Sequence, residues 1–135
     1  MKLSIIMPMY NSKDIISNLN AAINSLDKVT KNYEIVLVDD GSSTNCFNEA
    51  KKIKNKKIKV VGYKKNNGKG YAIKYGFRFT NGDYIAFVDS GRDLDPKQLN
   101  DFLRIIEKNK IDIVIGSKRH LDSKVYYPLI RRFMS

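Results

Sequence analysis

Three carboxylates, Asp89, Asp93 and Asp95, follow the apolar run Tyr84 to Val88. Carboxylate oxygens are the donors that hard cations such as Mg²⁺ or Mn²⁺ take, and such ions commonly hold a phosphorylated substrate. The spacing therefore suits a metal-assisted phosphate site. Asp93 and Asp95 equally suit a turn and the N-cap of a helix opening at Pro96. Three more polar clusters follow apolar runs. Pro8-Met9-Tyr10-Asn11 presents a ring that can stack on a base or pack against a neighbour. Asp39-Asp40-Gly41-Ser42-Ser43 offers carboxylates that can accept nucleobase or ribose hydrogens, or cap a helix. Asn66-Asn67-Gly68-Lys69-Gly70 offers backbone N–H groups and a point charge to a diphosphate at a helix start. Neither the Walker A pattern nor Gly-x-Gly-x-x-Gly occurs, which weakens P-loop and NAD readings.

Such clusters meet only if one scaffold delivers them to one edge. Leu3 to Met7, Ile35 to Val38, Ile58 to Val61, Tyr84 to Val88 and Ile111 to Ile115 are mainly apolar, β-branched-rich runs, the signature of strands buried on both faces. Between them, Asp14 to Leu26, Asn45 to Ile53, Tyr71 to Phe79 and Pro96 to Lys108 carry helical spacing, with Ile15, Ile16, Leu19, Ala22, Ile23 and Leu26 on one stripe. Alternation of this kind predicts an α/β fold: a doubly wound, mainly parallel sheet with helices on both faces and right-handed crossovers. Ligands of open α/β sheets bind at strand carboxyl ends, where the polar clusters fall.

The 135 residues suit one domain, 1–135. Apolar runs stay far below the roughly 18 residues of a membrane span, and the amino-terminal segment lacks a signal-peptide pattern. The single cysteine, Cys46, excludes an internal disulfide and suits a reducing cytoplasm, as a small buried residue. Lys and Arg number 25 against 14 Asp and Glu, a net +11 that implies an anionic partner. Nucleotides, anionic lipid headgroups and nucleic acid all carry that charge; for nucleic acid, charge is the sole motive. Much of the excess lies between Lys51 and Lys65, where a solvated helix end and loop account for it.

Taken in order, Ser4 to Asn11, Tyr33 to Ser42, Asn67 to Gly70, Gly82 to Asp89, Ile113 to Ser117 and Pro128 to Ser135 resemble the family-two inverting glycosyltransferases of GT-A fold. Polyprenyl-phosphate (dolichol-phosphate) mannose and glucose synthases are the nearest look-alikes. The resemblance implies transfer of a hexose from a UDP- or GDP-linked sugar to a polyprenyl phosphate at a membrane surface. It implies that Pro8, Tyr10, Asp39 and Asp40 hold base and ribose, that Lys69 meets the diphosphate, and that Asp89 binds Mg²⁺ or Mn²⁺. Lys118 and Arg131 stand where such synthases turn basic residues toward the acceptor phosphate.

Two departures qualify the match. Gly91 stands where the family's second aspartate is usual, and Asp93 is the expected substitute ligand beside Asp89. The region that in sugar-hydroxyl transferases carries a general base has no counterpart here. A polyprenyl phosphate is already an anionic nucleophile, so that acceptor is the one expected if the chain is active as it stands. Lys124 to Ser135 mixes aromatic, aliphatic and cationic side chains, the composition either of an interfacial anchor, which would make a cytoplasmic protein peripheral to the membrane, or equally of the beginning of a longer protein. The alternative is a nucleotide-binding or partner module whose metal site has degraded at Gly91.

Overall fold

The computed structural model describes residues 1–91 and 95–117. They fall into two compact units, Met1–Asn100 and the residues from Asp101 onward. In the first unit the order is β1 (Leu3–Met9), α1 (Ile15–Leu26), β2 (Tyr33–Asp40), α2 (Cys46–Lys51), β3 (Ile58–Tyr63), α3 (Lys69–Phe77) and β4 (Tyr84–Phe87). A further helix, α4 (Pro96–Asn109), begins in this unit and ends in the next.

The sheet has the order β3-β2-β1-β4, and all three pairings are parallel. Parallel neighbours need crossovers. Here α1 and α2 carry the chain outward to β3, and α3 returns it to the far side of β1, so the carboxyl ends of β1 and β4 lie side by side where the winding reverses.

The middle of each central strand is apolar because both faces are covered. Ile6, Val36 and Val38 pack with Ala72 of α3, and Val61, Tyr63, Ile73, Tyr75 and Phe79 border that cluster. Contact is close because residue 76 is glycine: a Cβ there would lie 2.7 Å from Val38 Cγ2 and 2.8 Å from Ile6 Cγ2. The opposite face is as well buried, with Ile5, Met7, Ile35 and Leu37 at most 1% exposed. Phe47 of α2 lies on that side, since a Cβ on Gly62 would come within 3.2 Å of its ring. Of the expected α1 stripe, Ile15, Leu19, Ala22 and Leu26 are buried, whereas Ile16 is 41% exposed. Burying each of Ile15, Leu19 and Leu26 stabilises by about 1.5–3 kcal/mol. Cys46 is buried and free.

At the amino end of the sheet a polar knot fixes where β4 begins. The Ser4 hydroxyl donates to Glu34 Oε1 (2.6 Å), the Asn81 N–H donates to the same oxygen (2.6 Å), and the Gly82 N–H donates to Ser4 Oγ (2.8 Å). Lys2 Nζ lies 3.2 Å from Glu34 Oε2. Burial raises the Glu34 pKa, but the Ser4, Asn81 and Lys2 contacts outweigh it and leave the group below its ordinary 4.5.

Two expectations need correction. Ile111 to Ile115 is no strand: it joins no sheet among the described residues, and Ile113 and Ile115 are 74% and 80% exposed. An apolar run becomes a strand only when a sheet edge pairs with its backbone, and composition does not reveal that pairing. In the second unit this segment is followed by Gly116, which packs on the ring of Phe102. The third helix begins at Lys69 rather than Tyr71, because Gly68, at φ 88°, ends the preceding loop and lets Lys69 enter the first turn. At α4 the Lys97 N–H donates to Asp95 Oδ1 (2.8 Å), so Asp95 is the cap the sequence expectation allowed.

Candidate functional site

Four strand ends and the start of α3 surround one cleft of about 460 Å³ in the first unit. Pro8 and Met9 come from β1, with Tyr10 just after it; Asp40 from β2; Asn66 and Gly68 from the β3–α3 connection; Lys69 from the start of α3; and Asp89, Ser90 and Gly91 from the segment after β4. The Tyr10 ring is 54% exposed and therefore open to stacking.

Asp39 is not among the lining residues. Successive side chains of a strand point to opposite faces, so Asp39 and Asp40 leave β2 on opposite sides of the sheet. Asp40 pairs in register with Tyr63 on the α3 side, whereas Asp39 pairs with Gly62 on the α2 side. There Asp39 Oδ2 accepts the Ser42 N–H (3.2 Å) and shapes the turn after β2, while its buried Oδ1 has no hydrogen-bond partner.

Asp40 is 3% exposed and accepts three side-chain hydrogen bonds. Its Oδ1 accepts the Tyr63 hydroxyl (2.7 Å) and the Asn67 N–H (2.9 Å), and its Oδ2 accepts Asn66 Nδ2 (3.1 Å). The Asn66 amide donates also to the Asp40 carbonyl (3.1 Å). Burial first, and then the hydrogen bond to Asp40, push the Tyr63 phenol well above its ordinary 10.0, so it stays a donor. Gly41 makes this seat possible. It adopts φ 67°, and a Cβ there would lie 2.5 Å from the Asn66 nitrogen. The loop that carries Gly68 and Lys69 is thus clamped onto the end of β2.

On the other side Asn11, at φ 48°, ties the first two strand ends together. Its N–H donates to Ser42 Oγ (2.9 Å), and its Oδ1 accepts the N–H groups of Ser43 (2.8 Å) and Thr44 (3.2 Å). The amide that the sequence offers beside Tyr10 therefore braces the walls. Lys69 and Asp89 meet across the cleft as an ion pair. Asp93, Lys118 and Arg131 lie outside the described residues.

The site thus combines an exposed ring, a buried acceptor, a cation at a helix start and a carboxylate. Sequence reasoning missed Tyr63 and Asn66 as partners of Asp40. The one available signal was the position of Tyr63 at the end of an apolar run, as many residues past its start as Asp40 is past Ile35.

Residues 4–129 match the family described as Glycosyl transferase family 2. The chain belongs to glycosyl transferase family 2. This family-2 chain is 35% identical over 132 residues to a Dolichyl-phosphate beta-glucosyltransferase of Dictyostelium discoideum, aligning 88% of its length with 40% of that protein. It is 33% identical over 139 residues to a Dolichol-phosphate mannosyltransferase of Pyrococcus furiosus, aligning 100% of its length with 38% of that one. Among solved structures, S. aureus TarS 1-349 in complex with UDP-GlcNAc matches with a TM-score of 0.62 at 28% identity, over 82% of this chain and 32% of that one. The family-2 chain therefore spans about two fifths of the length of the two curated relatives. The expected α/β fold and the expected family both stand.

Proposed function

We propose that this chain forms the donor site of an inverting hexosyltransferase that uses a UDP- or GDP-linked sugar, with a polyprenyl phosphate at the cytoplasmic face of a membrane as acceptor. The observation that carries this reading is the convergence of Tyr10, Asp40, Lys69 and Asp89 on one cleft at the sheet's carboxyl edge. Tyr10 offers a face to the base. Asp40 offers an acceptor to its N–H. The first turn of α3 offers Lys69 and free N–H groups to the diphosphate. The relatives' names, dolichyl-phosphate glucosyl- and dolichol-phosphate mannosyltransferase, support the donor and acceptor classes.

Among the described residues no group of three or more His, Cys, Asp or Glu side chains gathers as a metal cage. The donor set still fits Mg²⁺ or Mn²⁺, since these ions are held through one or two carboxylates together with substrate phosphates. Asp89 would hold the ion, with Asp93 as the second proposed ligand, and the ion would neutralise charge on the departing diphosphate. A phosphate acceptor needs no general base, so the protein's share is positioning, a task proposed for Lys118 and Arg131. No helix among the described residues is long and apolar enough to cross a membrane, which is consistent with peripheral attachment.

Calorimetry with UDP-glucose and GDP-mannose, with and without Mn²⁺, followed by transfer of labelled sugar to polyprenyl phosphate in vesicles, tests the reading. Micromolar to millimolar donor binding and labelled lipid are expected, and failure to bind either nucleotide sugar would falsify it. Gly91 lines the cleft without a carboxylate and favours a second reading, a nucleotide-binding module that does not transfer. Donor binding without labelled lipid selects it.

A further inference from the structure

The two oxygens of the Asp40 carboxylate are unequally used. Each has roughly two lone-pair sites. The Tyr63 hydroxyl and the Asn67 N–H fill both sites of Oδ1, whereas Oδ2 has Asn66 alone. A buried acceptor on the cleft wall thus keeps one site, the complement of a single N–H donor. Nucleobases carry such a donor in the imino hydrogen, N3–H of uracil or N1–H of guanine.

Tyr63 sets this asymmetry and is itself held in place. Its ring makes edge-to-face contacts with Tyr71 and Tyr75, each with centroids 5.1 Å apart, and Tyr75 continues the row to Phe79 at 5.2 Å. Tyr71, Tyr75 and Phe79 recur every four residues, so one side of α3 forms an aromatic rail against the last residue of β3. The hydroxyl is aimed by packing, and the carboxylate is aimed by the hydroxyl. Tyr63 is not among the residues that line the cleft.

We propose that Tyr63 is a positioning residue for base recognition: it occupies Asp40 Oδ1 and so presents Oδ2 as the acceptor for the nucleobase imino hydrogen. The proposal rests on the cleft's taking a nucleotide.

Tyr63→Phe removes the hydroxyl and keeps the ring and its packing. Calorimetry is run on both proteins with UDP, N3-methyl-UDP, GDP, N1-methyl-GDP and inorganic pyrophosphate. In the wild type, methylation of the bound base should cost at least about tenfold in affinity, the range for a lost hydrogen bond to a charged group. In Tyr63→Phe the affinity for the parent nucleotide should fall about five- to thirtyfold, the penalty for methylation should shrink below threefold, and pyrophosphate affinity should stay within twofold. Loss of a merely structural residue would instead weaken pyrophosphate in parallel, because the same loop carries Gly68 and Lys69. Parallel loss, or an unchanged methylation penalty in Tyr63→Phe, overturns the proposal, and equal wild-type binding of methylated and parent nucleotides does so without any variant. Wild-type protein that binds no nucleotide overturns this proposal and the functional reading together.

Discussion

Lys69 and Asp89 form an ion pair that joins the first residue of α3 to the segment after β4, across the cleft. The side chains are 53% and 64% exposed, so water screens the attraction and the pair is weak. A weak pair is suited to exchange, since a diphosphate competes for the ammonium and a divalent cation competes for the carboxylate.

Lys69→Met separates these roles. Without the ammonium, Mn²⁺ affinity of the nucleotide-free chain should rise up to about fivefold, the range of an exposed pair. Affinity for UDP or GDP should fall about tenfold, as a charge-assisted contact is lost. Paramagnetic resonance of free Mn²⁺ measures the first and calorimetry the second. A fall in both would show that Lys69 does not compete with the cation.

Gly91→Asp places a second carboxylate on the cleft wall. With UDP or GDP present, Mn²⁺ affinity should rise by about tenfold or more, because a charged ligand is added near Asp89. Unchanged affinity would mean that another group already fills that coordination position, and Asp93→Ala should then abolish Mn²⁺ binding.

The clamp over β2 is tested through two glycines with positive φ. At Gly41 an added Cβ meets backbone of Lys65 and Asn66 at 2.5 Å, whereas at Gly68, φ 88°, it meets nothing within 4 Å. Gly68→Ala should therefore cost only the strain of a glycine-only backbone conformation, about 1–3 kcal/mol. Gly41→Ala should cost more than about 3 kcal/mol in urea unfolding, since strain and backbone overlap add. Equal costs would place the loop elsewhere.

Alkaline pH should weaken the fold. Burial first, and then the neighbouring Asp27 carboxylate, push the Tyr33 phenol from its ordinary 10.0 to about 12, and Tyr63 is raised further. A group with raised folded pKa keeps its proton longer in the native chain, so its stabilisation is complete below pH 10 and is lost as pH rises through the folded value. Urea midpoints should hold to about pH 10 and fall between 10 and 12. Tyr33→Phe should flatten the fall; a curve as steep as wild type would remove Tyr33 from the explanation.

Much of the molecule is determined by the sequence alone, and the reasons are local. The apolar runs at β1 and β2 suit strands covered on both sides, the spacing of Ile15, Leu19, Ala22 and Leu26 suits one helical face, and four polar clusters following four such runs must share an edge if the sheet is parallel. The α/β fold and the carboxyl-edge site therefore follow from periodicity and order. Tertiary structure alone decided what depends on register and pairing. Adjacent Asp39 and Asp40 separate to opposite faces because the pleat alternates. Tyr63, far from Asp40 in sequence, becomes its partner because the two residues are paired in neighbouring strands. Ile111 to Ile115, as apolar as a strand, joins no sheet among the described residues, since composition specifies a side chain's preference for burial and says nothing of which backbone lies beside it.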